Sequence, residues 1–442
     1  MQVTDPTSGA VLGEVAAAGP EDVDRAVRAA HAAWPGWSAL SPLERADALE
    51  RYALLLDDHS AELAELMHRE VGKPLAEASA EIARANEVVH HFAAEAARLW
   101  TGQLPGPTLA TGSWVRPAAL GVVAAITPWN FPVALVIWKL APALAAGNAV
   151  VVKPAIEAPL TAWRVCDLAV QAGLPEGLVN CLTGDGPLIG EALATHPLVA
   201  KVAFTGSRLV AEQISAWAAP RLKALSLELG GHGALVVLAD ADLDVAAEVA
   251  VTQGYVNAGQ ACYAVNRVLA PRTISADLLE RMRARIEPLQ LGPLVTERGH
   301  ARHRALLEDA ARRGARVEGG GDVDGTRVRP ALVTGAGPGV RLIDEEPFTP
   351  IVALMEVADT AEAIAEANRP DYGLVGYVCG RDLRRALETA QALECGTVVI
   401  NGWRVVVPYA PYSGWRGSGV GAELGRPGLE AFIRWQHLRV HG

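Results

Sequence analysis

From Gly121 onward, short β-branched runs alternate with helical stretches, and this pattern restricts the fold more than any other feature of the chain. Val122-Val123-Ala124-Ala125-Ile126, Ala149-Val150-Val151-Val152, Leu178 to Leu182, Lys201 to Thr205 and Leu225 to Leu229 each read as a strand. Val133 to Ala145, Pro159 to Gln171, Pro187 to Ala194 and Ser207 to Ala218 read as the helices between them. Strands this apolar, each followed by a helix, need a parallel sheet covered on both faces. A second alternation begins after Gly231, with strands at Ala234 to Leu238, Arg267 to Ala270, Ile351 to Leu354, Gly376 to Cys379 and Thr397 to Ile400. Helices such as Asp244 to Tyr255 and Leu383 to Leu393 fall between these. The expected class is therefore α/β, with two doubly wound parallel-sheet domains joined near Gly230-Gly231. Such sheets bind ligands at the carboxyl ends of their strands.

Residues 20 to 100 read as helices. Ser41-Pro42-Leu43-Glu44 has the cap, proline and acid of a helix start. His90-His91 lies within the helix opened after Pro74 and reads as a solvated or packed pair, not a ligand site.

At 442 residues the chain exceeds one ordinary core. A net charge of -11 without a basic stripe argues against a nucleic-acid partner. The start, Met1-Gln2-Val3-Thr4-Asp5-Pro6, is not a signal peptide. The longest apolar stretch, Ala119 to Val152, is broken by Pro128, Asn130, Pro132, Lys139, Pro142 and Asn148, so no membrane span is expected and a cytoplasmic location is. The five cysteines show neither CxxC nor Cys/His ligand spacing, which predicts neither a disulfide framework nor a metal site.

Chemistry concentrates in a few segments. Cys262 ends the run Asn257-Ala258-Gly259-Gln260-Ala261-Cys262, small residues suited to presenting a thiol at a tight bend. Glu228 lies in Leu227-Glu228-Leu229-Gly230-Gly231, a carboxylate in an apolar run closed by two glycines. A thiol with such a carboxylate suggests covalent catalysis assisted by a base. Asn130, in Thr127-Pro128-Trp129-Asn130-Phe131-Pro132, presents an amide to a developing oxyanion or is simply a turn asparagine. Lys153 ends the next strand and either holds a ribose hydroxyl or phosphate, or faces water. Gly184-Asp185-Gly186 and Thr205-Gly206-Ser207 link strand to helix and suit backbone contacts to phosphate, though neither is the full GxGxxG pattern.

The order and spacing of these segments, with Glu345-Glu346-Pro347-Phe348 and Gly396-Thr397-Val398-Val399-Ile400-Asn401, resemble the aldehyde dehydrogenase superfamily of hydrolytic, NAD(P)-dependent type. The resemblance runs from Asp5 to Gly419. It implies an enzyme that oxidises a small-molecule aldehyde to its acid through a thiohemiacetal and thioester on Cys262, with Glu228 as base and Asn130 as oxyanion donor. It also implies cofactor contacts from Ile126, Thr127, Pro128, Trp129, Lys153, Gly186, Ser207, Leu229, Glu346 and Phe348, and no metal. By the same analogy Leu135, Trp138, Tyr263, Val405, Val406 and Tyr412 surround a substrate tunnel, with Arg404 in the same loop. Those side chains suggest an aromatic or medium aliphatic aldehyde, whereas Arg404 would attract a carboxylate or face water at the tunnel mouth. The expected division is residues 1-99 and 121-230 for the dinucleotide, 231-425 for catalysis, and 100-120 with 426-442 as a β arm making a homodimer or homotetramer. The chain begins later than longer relatives do, without their opening strands. Ile156, Arg208 and Ala211 depart from the family pattern around the cofactor; either NAD or NADP fits, with a slight lean to NAD. The alternatives are a CoA-acylating relative, against which Glu228 argues, and a catalytically silent scaffold or binding protein.

Overall fold

The computed structural model describes residues 1–99, 102–105 and 112–440. Four helices, Pro20–Ala39, Pro42–Asp58, Ser60–Val71 and Leu75–Ala97, precede the first parallel sheet. The second opens as the sequence requires. Ser41 Oγ accepts from the Glu44 N–H and Glu44 Oε2 accepts from the Ser41 N–H, a reciprocal cap worth about 1 kcal/mol. These helices pack onto the sheet through long-range bonds. Trp37 Nε1 donates to the Leu144 carbonyl at 3.0 Å, and the buried Tyr52 hydroxyl donates to the Val165 carbonyl at 2.9 Å.

The first sheet runs, in spatial order, Gly419–Val420, Ala224–Glu228, Val199–Thr205, Val122–Ile126, Ala149–Lys153, Val179–Cys181. The last five strands are parallel, and the chain winds outward in both directions from the central Val122–Ile126. Register aligns Ile126 with both Lys153 and Phe204, and Thr205 with Glu228. The loops beginning at Thr127, Pro154, Gly206 and Leu229 therefore leave one edge of the sheet together. The second sheet has the order Arg316–Gly319, Ala331–Thr334, Ile351–Val357, Val265–Pro271, Gly233–Val237, Val375–Cys379, Thr397–Ile400 and is parallel except for its first strand. The α/β class with two wound sheets thus holds, with antiparallel strands at one edge of each.

Three pairings were not read from the sequence. Gln2–Thr4 pairs with Val11–Glu14. Its turn is closed by Asp5, whose side chain accepts from the Thr7 N–H at 2.7 Å and from the Ser8 hydroxyl at 2.8 Å. Asp-Pro-Thr-Ser-Gly carried that turn signal, but the flanking strands are too short to show alternation. Arg316–Gly319 and Ala331–Thr334 also went unread. Residues 419–420, assigned by sequence to the second domain, instead extend the first sheet, with Gly419 opposite Glu228. A Cβ on Gly419 would lie 2.1 Å from the Leu227 carbonyl, so only glycine permits this approach.

Gly112–Ala119 pairs along its whole length with Ile433–Val440, and Gly102–Pro105 adds a third strand. The remaining arm positions, 100, 101, 106–111, 441 and 442, lie outside the described residues. Among the described residues no helix is long and apolar enough to cross a membrane, and no cluster of three or more His, Cys, Asp or Glu could hold a metal ion. His90 pairs with Glu50 at 2.7 Å and His91 packs against Phe92.

Candidate active site

Cys262 is presented by a strained bend. Asn257, Ala258 and Gly259 are all left-handed, with φ of 49°, 54° and 71°. That conformation is unfavourable for alanine and is held by surrounding contacts. The Asn257 amide donates to the Asn130 carbonyl at 3.0 Å, and its own N–H donates to Glu77 at 3.0 Å. At Gly259 a Cβ would meet the Thr349 carbonyl carbon and oxygen at 2.4 and 2.3 Å.

The Leu229-Gly230-Gly231 turn packs directly on this bend. A Cβ on Gly231 would stand 2.1 Å from the Cys262 carbonyl oxygen, and one on Gly230 would stand 2.2 Å from Glu346 Oε2. Glu346 Oε1 accepts from the Gly231 N–H at 3.0 Å. The two glycines thus let the glutamate segment, the cysteine segment and the Glu345-Glu346 loop meet at backbone distance.

Cys262 and Glu228 line one cavity of about 600 Å³, walled by Phe131, Ala134, Leu135, Trp138, Thr205, Leu229, Tyr263, Leu374, Val406 and Tyr412, with Glu81, Arg84 and Glu423. Cys262 Sγ lies 3.4 Å from the Tyr412 hydroxyl. Burial pushes the thiol up to about 12; Tyr412 opposes this, and the charges of Glu346 and Glu228 add to it. The resting thiol is protonated. Glu228 is 2% exposed and no hydrogen bond of good geometry reaches either of its oxygens among the described residues; only the Gly414 backbone N–H lies near enough to favour its charged form. Burial first, then the charge of Glu423, hold its carboxyl well above the ordinary range, against the pull of Lys139. A proton-hungry, buried carboxylate facing a cavity suits a general base.

A second cavity of about 850 Å³ shares Arg84, Phe131, Tyr263 and Val406 with the first and adds Lys73, Ala76, Glu77, Ala80, Thr252, Gln253, Val256, Trp403, Arg404 and Val405. The two cavities adjoin at these shared residues, an arrangement that fits a tunnel toward Cys262 with a neck between them. Leu135, Trp138 and Tyr412 line its inner chamber, Arg404 and Val405 its mouth, and Tyr263 and Val406 both. Rings shape the inner wall, with Trp138 edge-on to Tyr412 at 5.4 Å and Phe131 tilted against Tyr263 at 5.7 Å. Arg404 faces water and reaches Glu87 at 3.4 Å.

The family model described as "Aldehyde dehydrogenase family" matches residues 1–438. The chain belongs to the aldehyde dehydrogenase family. It is 36% identical over 453 residues to the NADP(+) succinate-semialdehyde dehydrogenase GabD of Escherichia coli (strain K12), covering 100% of this chain and 94% of that one. It is 37% identical to the glutarate-semialdehyde dehydrogenase of Pseudomonas putida, with 100% and 94% covered. A crystal structure of an E. coli NADP-dependent enzyme superposes with a TM-score of 0.97 at 36% identity, covering 100% of this chain and 94% of that one. Oxidation of an aldehyde with a nicotinamide dinucleotide is therefore this dehydrogenase's chemistry.

The expected cofactor positions from Ile126 to Leu229 lie at the carboxyl edge of the first sheet, whereas Glu346 and Phe348 come from the loop before Ile351–Val357 of the second. Ile126, Lys153 and Gly186 line a slot of about 530 Å³ with Pro187, Gly190, Phe204, Val210, Gln213, Ile214 and Trp217. Apolar walls with one cation suit a purine and its ribose. Lys153 Nζ donates to the Pro154 carbonyl at 2.6 Å, and burial lowers its pKa. The helix Arg208–Ala218 has no side-chain cap, so its first N–H groups, beside Ser207, stay open to an anion. By contrast, the helix Gly186–Thr195 is capped by Asp185, which accepts from the Leu188 N–H at 2.9 Å. Asp185 thus takes up one of that helix's first N–H groups, which favours Thr205-Gly206-Ser207 over Gly184-Asp185-Gly186 for a phosphate. Thr127 Oγ1 is buried without a partner among the described residues, while Pro128 fixes the turn that carries Trp129. Trp129 stands edge-on to Phe348 at 5.9 Å, and Phe348 is left-handed with φ 54°. Leu229 lies in the wall of the inner chamber. These residues fit a dinucleotide stretched from the slot toward Cys262. Arg208 does not face this path; it pairs with Asp371 and Glu212.

Asn130 holds the loop together. Its Nδ2 donates to the Gln260 carbonyl at 2.9 Å, leaving one N–H of the amide, and Lys73 Nζ donates to its backbone carbonyl at 2.8 Å. Sequence reasoning missed Lys139, Glu423 and Thr205. Lys139 Nζ reaches Glu423 and Thr205 Oγ1, each at 2.6 Å, in full burial beside Glu228. The sequence signal for Lys139 is a charged residue inside an apolar helix, which by itself argues only against a membrane span.

Proposed function

We propose that Cys262 is the nucleophile, Glu228 the base and Asn130 the oxyanion donor in the oxidation of a small semialdehyde to its acid. The observation that carries this is one chamber lined by both the Cys262 thiol and the buried Glu228 carboxylate. Glu228 takes the thiol proton, and sulfur attacks the aldehyde carbon to give a thiohemiacetal. The free Asn130 N–H and the Cys262 N–H stabilise its oxyanion. A bound nicotinamide would supply the hydride acceptor, and loss of the hydride from this adduct would leave a thioester on Cys262. Glu228 passes the thiol's proton to solvent; it then removes a proton from water, hydroxide adds to the thioester carbon, and the carboxylic acid leaves as the thiolate returns. Lys139 and Glu423 set how readily Glu228 gives up its proton.

The reading of an aromatic or medium aliphatic substrate gives way to a small, acid-bearing aldehyde. The rings of the chamber cover its carbon chain, and the relatives named above act on succinate and glutarate semialdehydes. The lean to NAD also gives way. Ile156, half exposed beyond Lys153, offers no carboxylate against a 2′-phosphate, and GabD is an NADP(+) enzyme. NADP is the proposed oxidant.

The test is NAD(P)H formation with a panel of aldehydes, with Cys262→Ala as blank. Glu228→Gln should give a single-turnover burst and then stall, with steady turnover down about 10²–10⁴-fold. Full turnover by Cys262→Ala, or a normal steady state in Glu228→Gln, would refute the assignment. A higher kcat/KM with NAD than with NADP would refute the cofactor proposal.

A further inference from the structure

We propose that Arg84 is the anion-recognising residue of the substrate tunnel, so that the preferred aldehyde carries a carboxylate or sulfonate at its far end. This inference rests on the reading of Cys262 as the site of aldehyde attack.

The charged groups of the two cavities are nearly all engaged. Lys73 pairs with Glu81, which also accepts from the Val133 and Ala134 N–H groups at 3.0 and 3.1 Å. Glu423 pairs with Lys139, and Arg404 with Glu87. Glu77 accepts from the Asn257 N–H, and burial raises its pKa against the pull of Lys73 and Arg84. Glu228 is the base. Among the described residues Arg84 has neither a hydrogen bond nor an ion pair.

Its position suits the task. Glu77, Glu81 and Arg84 lie four and three residues apart on the helix Leu75–Ala97, so one face carries all three toward the tunnel. Arg84 lines both the chamber holding Cys262 and the outer cavity, which places it at the neck. Phe131, Tyr263 and Val406 share that neck and keep it apolar, so water screens the guanidinium poorly. A guanidinium there presents its forked donors to a planar carboxylate or to sulfonate oxygens while the aldehyde carbon sits at sulfur. Glu77 faces the same space, and its charge limits the preference for an anion.

The experiment compares glutarate semialdehyde with pentanal, an uncharged aldehyde of equal carbon number, on the full-length protein with saturating NADP. A sulfonated aldehyde forms a third arm. Wild type should prefer both anionic substrates. Arg84→Gln should lower kcat/KM for them by about 10- to 100-fold, chiefly through KM, with pentanal changed less than about threefold. Arg84→Lys should recover part of the loss. Equal losses for charged and uncharged aldehydes, or no preference in wild type, would overturn the proposal. A second readout needs no turnover. Glutarate should protect Cys262 from iodoacetamide in wild type and fail to do so in Arg84→Gln. If no aldehyde is oxidised the dehydrogenase assignment fails, yet the protection assay still decides Arg84; equal protection in both proteins overturns it.

Discussion

Gly231→Ala isolates the contact that joins the two halves of the site. Gly231 is not in the left-handed region, so alanine meets no backbone penalty there. The added Cβ would stand 2.1 Å from the Cys262 carbonyl oxygen, against a floor of 3.0 Å for real Cβ contacts, so one of the two must move by about 0.9 Å. Both are backbone, and Leu374 Cβ at 3.2 Å blocks retreat to one side. A displacement near 1 Å of a reacting group costs about 10²-fold in rate. The strain costs about 1–3 kcal/mol of stability. The assay pairs kcat for glutarate semialdehyde with a urea melt, so that lost activity in a folded protein is recognised. Gly36→Ala, in a helix with nothing within 4 Å of its Cβ, is the control and should be neutral or slightly stabilising. A Gly231→Ala enzyme with kcat within about threefold of wild type and an unchanged rate of Cys262 alkylation would refute the claim that this contact locates the nucleophile.

With its pKa raised to about 12, Cys262 should react with iodoacetamide about tenfold faster per unit of pH up to that range, and added NADP, by its positive ring, should shift the curve to lower pH; a plateau near pH 8 without cofactor would contradict the burial argument. Lys139→Met strands the buried Glu423 charge and should cost about 3–5 kcal/mol, read from a urea melt; a loss below about 1 kcal/mol would show the pair to be dispensable. Glu70, buried under the helix Pro159–Gln171, has its carboxyl raised to about 7, chiefly by burial, while the Thr161 and Leu160 N–H groups pull it down. A raised carboxyl binds its proton more tightly folded than unfolded, so its contribution to stability is full below about pH 4.5 and is lost as pH rises to about 7, by about 3 kcal/mol. Glu70→Gln should flatten that slope, and an unchanged slope would refute it.

The wound sheets were legible because each strand of a buried parallel sheet is apolar on both faces, and that signal is local. Cys262 was legible for a similar reason. Small residues and Gly259 mark a bend whatever surrounds it. The hairpin at Gln2–Glu14 was not read, because three- and four-residue strands are too short to show a period. The return of Gly419–Val420 to Glu228 was hidden for another reason, since nothing local says which sheet a two-residue strand will join. The expected pocket residues do surround the two cavities, yet the sequence did not mark Arg84 among them.

The sequence by itself determined the class of fold, the order of the main strands and loops, and the thiol and carboxylate that line one chamber. Tertiary structure alone decided their electrostatics. Lys139 and Glu423 are 284 residues apart, and their pairing exists only because the chain returns to the first sheet. The thiol near 12, the raised Glu228 and the unpaired Arg84 depend on how much water and which charges lie around each group. Exclusion of water is a property of all the surrounding elements together, so no stretch of sequence carries it.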